Sequence, residues 1–127
     1  MKMILKKVSP VILFFILCGM HNLQAQSVTW LTPTEHDFGV LKQYHPDTVY
    51  FTFKNISGYD MVIDNVRTTC GCTAPNWSME PIPADSTSTI LIEYNSKNLG
   101  YFEKKIKVYY AGIRKAEVLR IEGEVVE

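Results

Sequence analysis

The stretch Asp47-Thr-Val-Tyr-Phe-Thr-Phe-Lys-Asn55 decides the fold class of this chain. Its apolar side chains Val49, Phe51 and Phe53 occupy every second position, and more polar side chains stand between them. Successive side chains of a β-strand point to opposite faces of the sheet. A period of two therefore predicts a strand with one buried face and one solvated face.

The same alternation recurs further along the chain, in residues 87–94, 104–110 and 119–126. Shorter apolar runs lie at residues 61–66 and, near the start, at 28–31 or 37–40. Turn-forming sequences separate these stretches, among them Ser57-Gly58 and Ala111-Gly112. The total is about seven short strands, the number that an immunoglobulin-like sandwich uses.

Prolines mark the segment that follows the only close pair of cysteines. Pro75, Pro81 and Pro83 lie between Cys72 and the strand that begins near residue 86. Proline lacks the N–H that a central strand must donate, so this segment is predicted to be a long irregular connection or an edge.

These patterns predict an all-β fold, an immunoglobulin-like antiparallel β-sandwich over residues 37–127. Residues 26–36 are predicted to be an N-terminal linker or the first strand. The disulfide that joins the two sheets of antibody domains cannot form, because Cys70 and Cys72 are only two residues apart. The hydrophobic core alone must hold the sheets together.

Residues 1–25 have a different character. Three lysines precede an apolar run at residues 11–20, and the segment ends in Ala25 before Gln26. This is the layout of a secretory signal peptide, and it predicts cleavage after Ala25 and export to the periplasm or the medium. The run is shorter than the roughly 20 residues that span a bilayer, so no membrane span is predicted. Leu17 stands where a bacterial lipoprotein has a small residue, which argues against a lipid anchor at Cys18.

Composition excludes some function classes. The chain has 127 residues, 13 basic and 13 acidic, and a formal net charge of zero. It lacks the basic stripe that neutralises phosphates, so no nucleic-acid partner is predicted. No phosphate-binding loop, paired-carboxylate motif or nucleophile elbow occurs. We therefore expect a protein that is not an enzyme and carries no cofactor.

The spacing of residues within the predicted strands resembles that of a known family. The most specific block is Thr68-Thr-Cys-Gly-Cys-Thr73, preceded by Phe51-x-Phe53-x-Asn55-x-x-Gly58. Pro81-x-Pro83 and Gly100-x-Phe102-x-Lys104-x-Ile106-x-Val108 follow in order. Together they resemble the bacterial family known as domain of unknown function 1573, over about residues 37–126. The resemblance implies an exported immunoglobulin-like domain of a Gram-negative cell and supplies no reaction.

Two loops depart from that family pattern. Ala84-Asp85 stands where such domains usually have a Pro-Gly turn, and Tyr110-Ala111-Gly112 replaces a more polar strand end. Both departures lie outside the Cys-Gly-Cys block, so they concern loop conformation and not the fold.

Cys70-Gly71-Cys72 is the one group of residues with potential chemistry. Residues two apart in an extended chain share a face, and Gly71 would permit the bend of a very small ring. The pair is open to a structural role, to exchange of an easily reduced disulfide, and to partner or soft-metal binding through the thiolates. A metal site needs further ligands, and His36 and His45 lie far upstream without paired spacing.

Tyr50 and Tyr109 fall on the polar side of their predicted strands, where they could bind a protein or glycan partner. Tyrosines also commonly cover sheet surfaces through cross-strand pairing. The leading hypothesis is an exported, non-catalytic binding or scaffold module of the bacterial envelope. The alternative is a thiol–disulfide exchange or soft-metal-handling protein that acts through Cys70 and Cys72.

Overall fold

The structure, a computed structural model, describes residues 26–127. The predicted signal peptide and Cys18 lie outside these residues. The described part of the chain folds into eight strands. They are β1 (Val28–Trp30), β2 (Glu35–Lys42), β3 (Asp47–Asn55), β4 (Ile63–Thr68), β5 (Thr73–Asn76), β6 (Thr87–Tyr94), β7 (Gly100–Tyr110) and β8 (Glu117–Val126).

The strands form two four-stranded sheets packed face to face. The first sheet has the order β1-β3-β6-β5, and the second has the order β2-β8-β7-β4. The alternation in the sequence explains the packing, because the apolar faces of β3, β6, β7 and β8 point between the sheets. Phe51 and Phe53 of β3 are 1% and 0% exposed, and Ile106 and Val108 of β7 are both 0% exposed. The predicted inward faces of β3, β6, β7 and β8 are confirmed.

The structure has eight strands and not about seven, because the first predicted strand is divided and β5 forms in the proline-rich segment. β1 pairs with β3 in the first sheet, and the chain then crosses so that β2 pairs with β8 in the second. The sequence suggested two alternatives for the first strand, residues 28–31 and residues 37–40. Both stretches contribute to strands. β2 runs parallel to β8, whereas every other strand pair is antiparallel. The sandwich is therefore mixed, and not purely antiparallel as predicted.

The proline-rich segment contains one strand that the sequence left open. β5 lies at the edge of the first sheet and includes Pro75. An edge strand tolerates proline because one side of its backbone has no partner strand. Beyond β5 the chain is irregular until β6, apart from a single bridge between Met61 and Ile82.

Candidate functional site

The Cys-Gly-Cys block lies where the chain crosses from one sheet to the other. β4 ends at Thr68 in the second sheet, and β5 begins at Thr73 in the first. The Thr68 hydroxyl donates toward the carbonyls of Cys70 and Thr73, at 3.3 and 3.4 Å. The backbone N–H of Asn95 donates to the Cys72 carbonyl at 2.9 Å. The turn is thus tied to both flanking strands and to the loop after β6.

Cys70 and Cys72 form a disulfide, with their Cα atoms 5.2 Å apart. The two residues differ in environment. Cys72 is 7% exposed and belongs to the hydrophobic core, whereas Cys70 is only partly buried and packs against the edge of that core. The backbone N–H of Cys72 donates to Sγ of Cys70 at 3.1 Å, and Sγ of Cys72 lies 3.8 Å from the Thr73 hydroxyl. Each sulfur therefore has a different polar neighbour.

Gly71 separates the two cysteines and is exposed. A Cβ placed on it would meet no atom within 4 Å, and its φ is not in the left-handed region. The bend of the turn therefore does not require glycine at this position, in contrast to the argument from the sequence. The absence of a side chain leaves the space beside the disulfide open.

Three other chain segments meet at the same end of the sandwich, which we call the lower end. They are the β2–β3 loop (43–46), the β6–β7 loop (95–99) and the end of β8. The N–H of Gln43 donates to the Val126 carbonyl at 2.7 Å, and the N–H of Tyr44 donates to the Ser96 carbonyl at 3.0 Å. Together with the Asn95–Cys72 bond, these bonds join the segments to the disulfide turn.

Exposed apolar side chains gather at this lower end. Val40, Tyr44, Leu99, Tyr101 and Val126 are 67%, 68%, 51%, 67% and 38% exposed. We call these five residues the lower-end apolar surface. Single exposed apolar residues are normal on a protein surface, but a group of them marks an interaction site. The sequence did not predict this surface, because its members come from three stretches that are distant along the chain, residues 40–44, residues 99–101 and residue 126.

Cross-strand register places two of these residues in one row. Glu124 of β8 pairs with Val40 on one side and with Tyr101 on the other, and all three side chains are exposed. The Tyr101 hydroxyl donates to Oε2 of Glu122 at 2.8 Å. That hydrogen bond, with smaller contributions from nearby carboxylates, raises the pKa of Tyr101 to about 12. The hydrogen bond ties the exposed Tyr101 hydroxyl to Glu122 of β8.

The two tyrosines predicted as a partner surface do not share a face. Tyr50 is 59% exposed on β3, on the outside of the first sheet. Tyr109 lies on β7 in the second sheet, half-buried, with the Arg67 guanidinium 5.5 Å above its ring. The sandwich separates them, so a single flat partner could not contact both. Their role in partner binding stays a prediction.

His36 and His45, considered above as possible metal ligands, lie far from the cysteines in the sequence and contact residues near them in the chain. The His36 ring meets the Phe38 ring edge-on at 4.6 Å on β2, and His45 Nδ1 is 3.0 Å from the Gln43 carbonyl. Within residues 26–127, no three side chains of His, Cys, Asp or Glu come together in a way that could hold a metal ion. The same residues contain no helix that could cross a membrane.

The upper end of the sandwich has a shallow cleft of about 330 Å³ beside the β7–β8 loop. Tyr110, Arg114 and Glu117 contribute to its walls. The Tyr110 hydroxyl is buried with no hydrogen-bond partner among the described residues. Burial, with a smaller contribution from Glu117, raises the pKa of Tyr110. This cleft is at the opposite end from the disulfide.

Two facing sheets, with the first predicted strand divided between them, define the class of this protein. It is an immunoglobulin-like β-sandwich. The chain belongs to the family described as Protein of unknown function (DUF1573), which matches residues 29–125. The family membership expected from the sequence is confirmed. No curated protein matches the chain.

Solved structures show the same fold at low identity. The PapD-like domain 7 of human CEP192, an ASH domain, has a TM-score of 0.69 at 9% identity, covering 100% of this chain and 98% of that one. A protein of unknown function from Porphyromonas gingivalis W83 has a TM-score of 0.65 at 11% identity, covering 76% of this chain and 46% of that one. This chain thus spans less than half of that protein.

A third similar structure is the YadV chaperone. Its TM-score is 0.55 at 11% identity, covering 80% of this chain and 53% of that one. At these identities the likeness is one of fold alone, and function has to come from the site.

Proposed function

We propose that this protein is an exported, non-enzymatic binding or scaffold module of the bacterial envelope, and that it docks a protein partner at its lower end. The observation that carries the proposal is the lower-end apolar surface, Val40, Tyr44, Leu99, Tyr101 and Val126. Apolar area left in water is unfavourable by about 25 cal/mol per Å². A partner that covers this surface would recover that free energy.

The chemistry of the surface favours protein over glycan. Three of its five members are aliphatic, and a sugar is bound mainly by aromatic rings and polar groups. Lys97 and Glu124 are also exposed at this end, and Glu124 stands between Val40 and Tyr101 in their row. Protein–protein interfaces combine apolar contacts with hydrogen-bonded polar groups.

The free edge of the second sheet at β2 makes a less suitable docking site. β2, at one edge of the second sheet, has a register shift between Asp37 and Val40, with Gly39 at φ +68°. The Gly39 N–H donates to Oδ1 of Asp37 at 2.7 Å. A bulge of this kind disrupts the regular row of backbone groups that an added strand would need.

Export is supported by the layout of residues 1–25 and by the cysteine pair. A disulfide persists in an oxidising compartment such as the periplasm or the medium. Proteins with similar sandwiches include one named as a chaperone. The same fold is therefore compatible with a role in binding other proteins.

The experiment selects peptides from a random displayed library on the protein, expressed from its own start codon and purified after processing by the host. The best peptides are then titrated by calorimetry against the Tyr44→Ser/Leu99→Ser/Tyr101→Ser variant. We expect selected peptides rich in apolar residues, with affinity at least tenfold weaker for the variant.

The matched control carries Ile56→Ser, Tyr59→Ser and Met79→Ser, three changes at exposed apolar residues away from the lower end. It should bind as the wild type does. Equal weakening by both triple variants, or a selection without apolar enrichment, would contradict the proposal.

A further inference from the structure

The two sulfurs of the Cys70–Cys72 disulfide are not equivalent. Cys72 is 7% exposed, and Cys70 lies partly exposed at the edge of the core. Gly71 between them has no side chain, and the space where one would lie is open. A thiolate from outside the protein can therefore approach Sγ of Cys70 more readily than Sγ of Cys72.

We propose that the Cys70–Cys72 disulfide is a thiol-exchange site that oxidises a pair of cysteine thiols on the protein bound at the lower end. This inference rests on the proposed function, because the lower-end apolar surface holds the partner. The partner class is thereby narrowed to a protein segment with two reduced cysteines near apolar side chains.

The exchange balances without any further reagent. A partner thiolate attacks Sγ of Cys70, the Cys70–Cys72 bond breaks, and Cys72 leaves as a thiolate that takes a proton from solvent. The second partner thiolate then attacks the partner's sulfur in the mixed disulfide and releases Cys70 as a thiolate. Two electrons pass from the partner dithiol, which becomes a disulfide, to the two cysteines, which become thiols. One protein molecule oxidises one partner molecule.

The polar neighbours of the two sulfurs can stabilise the thiolates that the exchange produces. The Thr73 hydroxyl, 3.8 Å from Sγ of Cys72, can donate a hydrogen bond to the departing thiolate. The Cys72 N–H, 3.1 Å from Sγ of Cys70, can stabilise the negative charge that Cys70 carries when the partner is released. Hydrogen bonds to a charged acceptor are stronger than those to a neutral one. Both contacts therefore stabilise the thiolates more than they stabilise the resting disulfide.

The lower-end apolar surface and the disulfide are parts of one loop system. The loop after β6 bonds to the disulfide turn through Asn95 and Cys72, and it also carries Leu99. Its Ser96 carbonyl accepts the N–H of Tyr44, another member of the surface. A segment docked there lies at the same end of the sandwich as Cys70, which raises the effective concentration of its thiols near the disulfide.

The test uses the processed protein in its oxidised form and a synthetic reduced peptide with two cysteines flanked by aliphatic and aromatic residues. A matched peptide has glycine and serine flanks. Intact mass spectrometry follows the loss of two hydrogens by the peptide and their gain by the protein. We expect one-to-one oxidation, at least tenfold faster for the apolar peptide, with the difference lost in the Tyr44→Ser/Leu99→Ser/Tyr101→Ser variant.

Single-cysteine variants identify the attacked sulfur. With the oxidised apolar peptide, the Cys72→Ala variant should form a one-to-one mixed disulfide at least tenfold faster than the Cys70→Ala variant. Equal rates, or a faster reaction at Cys72, would overturn the assignment. The wild-type measurement does not depend on the folding of either variant.

The outcomes separate the two proposals. In one outcome, an apolar peptide without cysteines binds but the dithiol peptide stays reduced. That result would overturn the exchange site and leave the proposed binding function unaffected. Oxidation at equal rates with both peptides would contradict docking at the lower-end apolar surface, and with it both proposals.

Discussion

The Phe102 ring fills the space that a side chain at Gly123 would occupy. The two residues pair directly across β7 and β8. A Cβ built on Gly123 would lie 2.8 Å from the Phe102 ring and 2.9 Å from the Gly39 carbonyl oxygen. The same ring stacks on Tyr94 with a centroid separation of 3.7 Å. Glycine in a strand often marks such a close approach, and here it lets an aromatic ring cover the backbone.

The first prediction follows from this contact. Gly123→Ala should lower the free energy of unfolding by about 2–3 kcal/mol, because the Phe102 ring and the Gly39 backbone would both have to shift. Gly71→Ala is the control, since a Cβ there meets nothing within 4 Å, and it should change stability by no more than about 0.5 kcal/mol. Urea unfolding measures both. Similar values for the two variants would contradict the packing described.

Asn55 carries a second prediction. It is 0% exposed at the upper end, and its Nδ2 donates to the carbonyls of Tyr59 and Ile82 at 2.7 and 2.9 Å. Its Oδ1 accepts from the N–H and hydroxyl of Ser57. Asn55→Ala should lower the free energy of unfolding by about 3 kcal/mol, because buried polar groups lose their partners. Asn76→Ala, at an exposed position, should have almost no effect in the same urea titration.

Substitutions in the turn at residues 83–86 should stabilise the protein. The Ser86 N–H donates to the Pro83 carbonyl at 3.1 Å, and Asp85 has φ +65°. That conformation at the third position of a turn favours glycine, and proline suits the position before it. Ala84→Pro/Asp85→Gly should raise the melting temperature, with a gain of about 0.5–1 kcal/mol. A lower melting temperature would show that the Asp85 side chain stabilises the turn.

The raised pKa values of three tyrosines predict that the free energy of unfolding falls at alkaline pH. Tyr101 has a pKa of about 12 in the folded protein, raised first by its hydrogen bond to Glu122. The unfolded chain releases the same proton near pH 10.0. The stabilisation of the folded state that this pKa difference supplies is therefore fully present below pH 10.0, and it is lost as the pH rises toward 12. Burial also raises the pKa of Tyr94 and Tyr110, which adds to the effect.

Ultraviolet titration of tyrosinate checks this assignment. The Tyr101→Phe variant should lack one of the tyrosines that ionise late, near pH 12. If the substitution instead removes a tyrosine that ionises near pH 10.0, the Tyr101–Glu122 hydrogen bond does not form in solution.

The Cys70–Cys72 disulfide is expected to stabilise the fold only slightly. It closes a loop between residues two apart, and on the chain-entropy account this contributes about 1.5 kcal/mol, half of what a 15-residue loop supplies. Urea unfolding with and without reductant should therefore differ by no more than about 2 kcal/mol. Loss of cooperative unfolding on reduction would instead assign the pair a mainly structural role.

Much of the fold could be predicted from local patterns. The sequence places Val49, Phe51 and Phe53 on the inner face of β3, and all three are buried. It does not predict that β2 runs parallel to β8. The alternation in β2 is interrupted at Gly39, where the register shifts. Its partner is determined by contacts with residues about 80 positions away, which no local pattern reports.

In the candidate site, too, the sequence predicts some features and only the folded structure reveals others. Cys70 and Cys72 stand out in the sequence because of their spacing, but the sequence treats them as equivalent. Only the folded chain buries Cys72 while Cys70 stays partly exposed. Tyr50 and Tyr109 look alike in the sequence, on the polar sides of their strands, yet they lie on different sheets.

The sequence by itself determined most of the strands and the inward faces of β3, β6, β7 and β8, because the direction of successive side chains follows from covalent geometry within a few residues. It also indicated the family, through the spacing of residues around the Cys-Gly-Cys block. Tertiary structure alone decided which segments meet at the lower end and how each sulfur is buried. Those properties depend on pairing between residues far apart in the chain, where the packing of both sheets selects one arrangement among many.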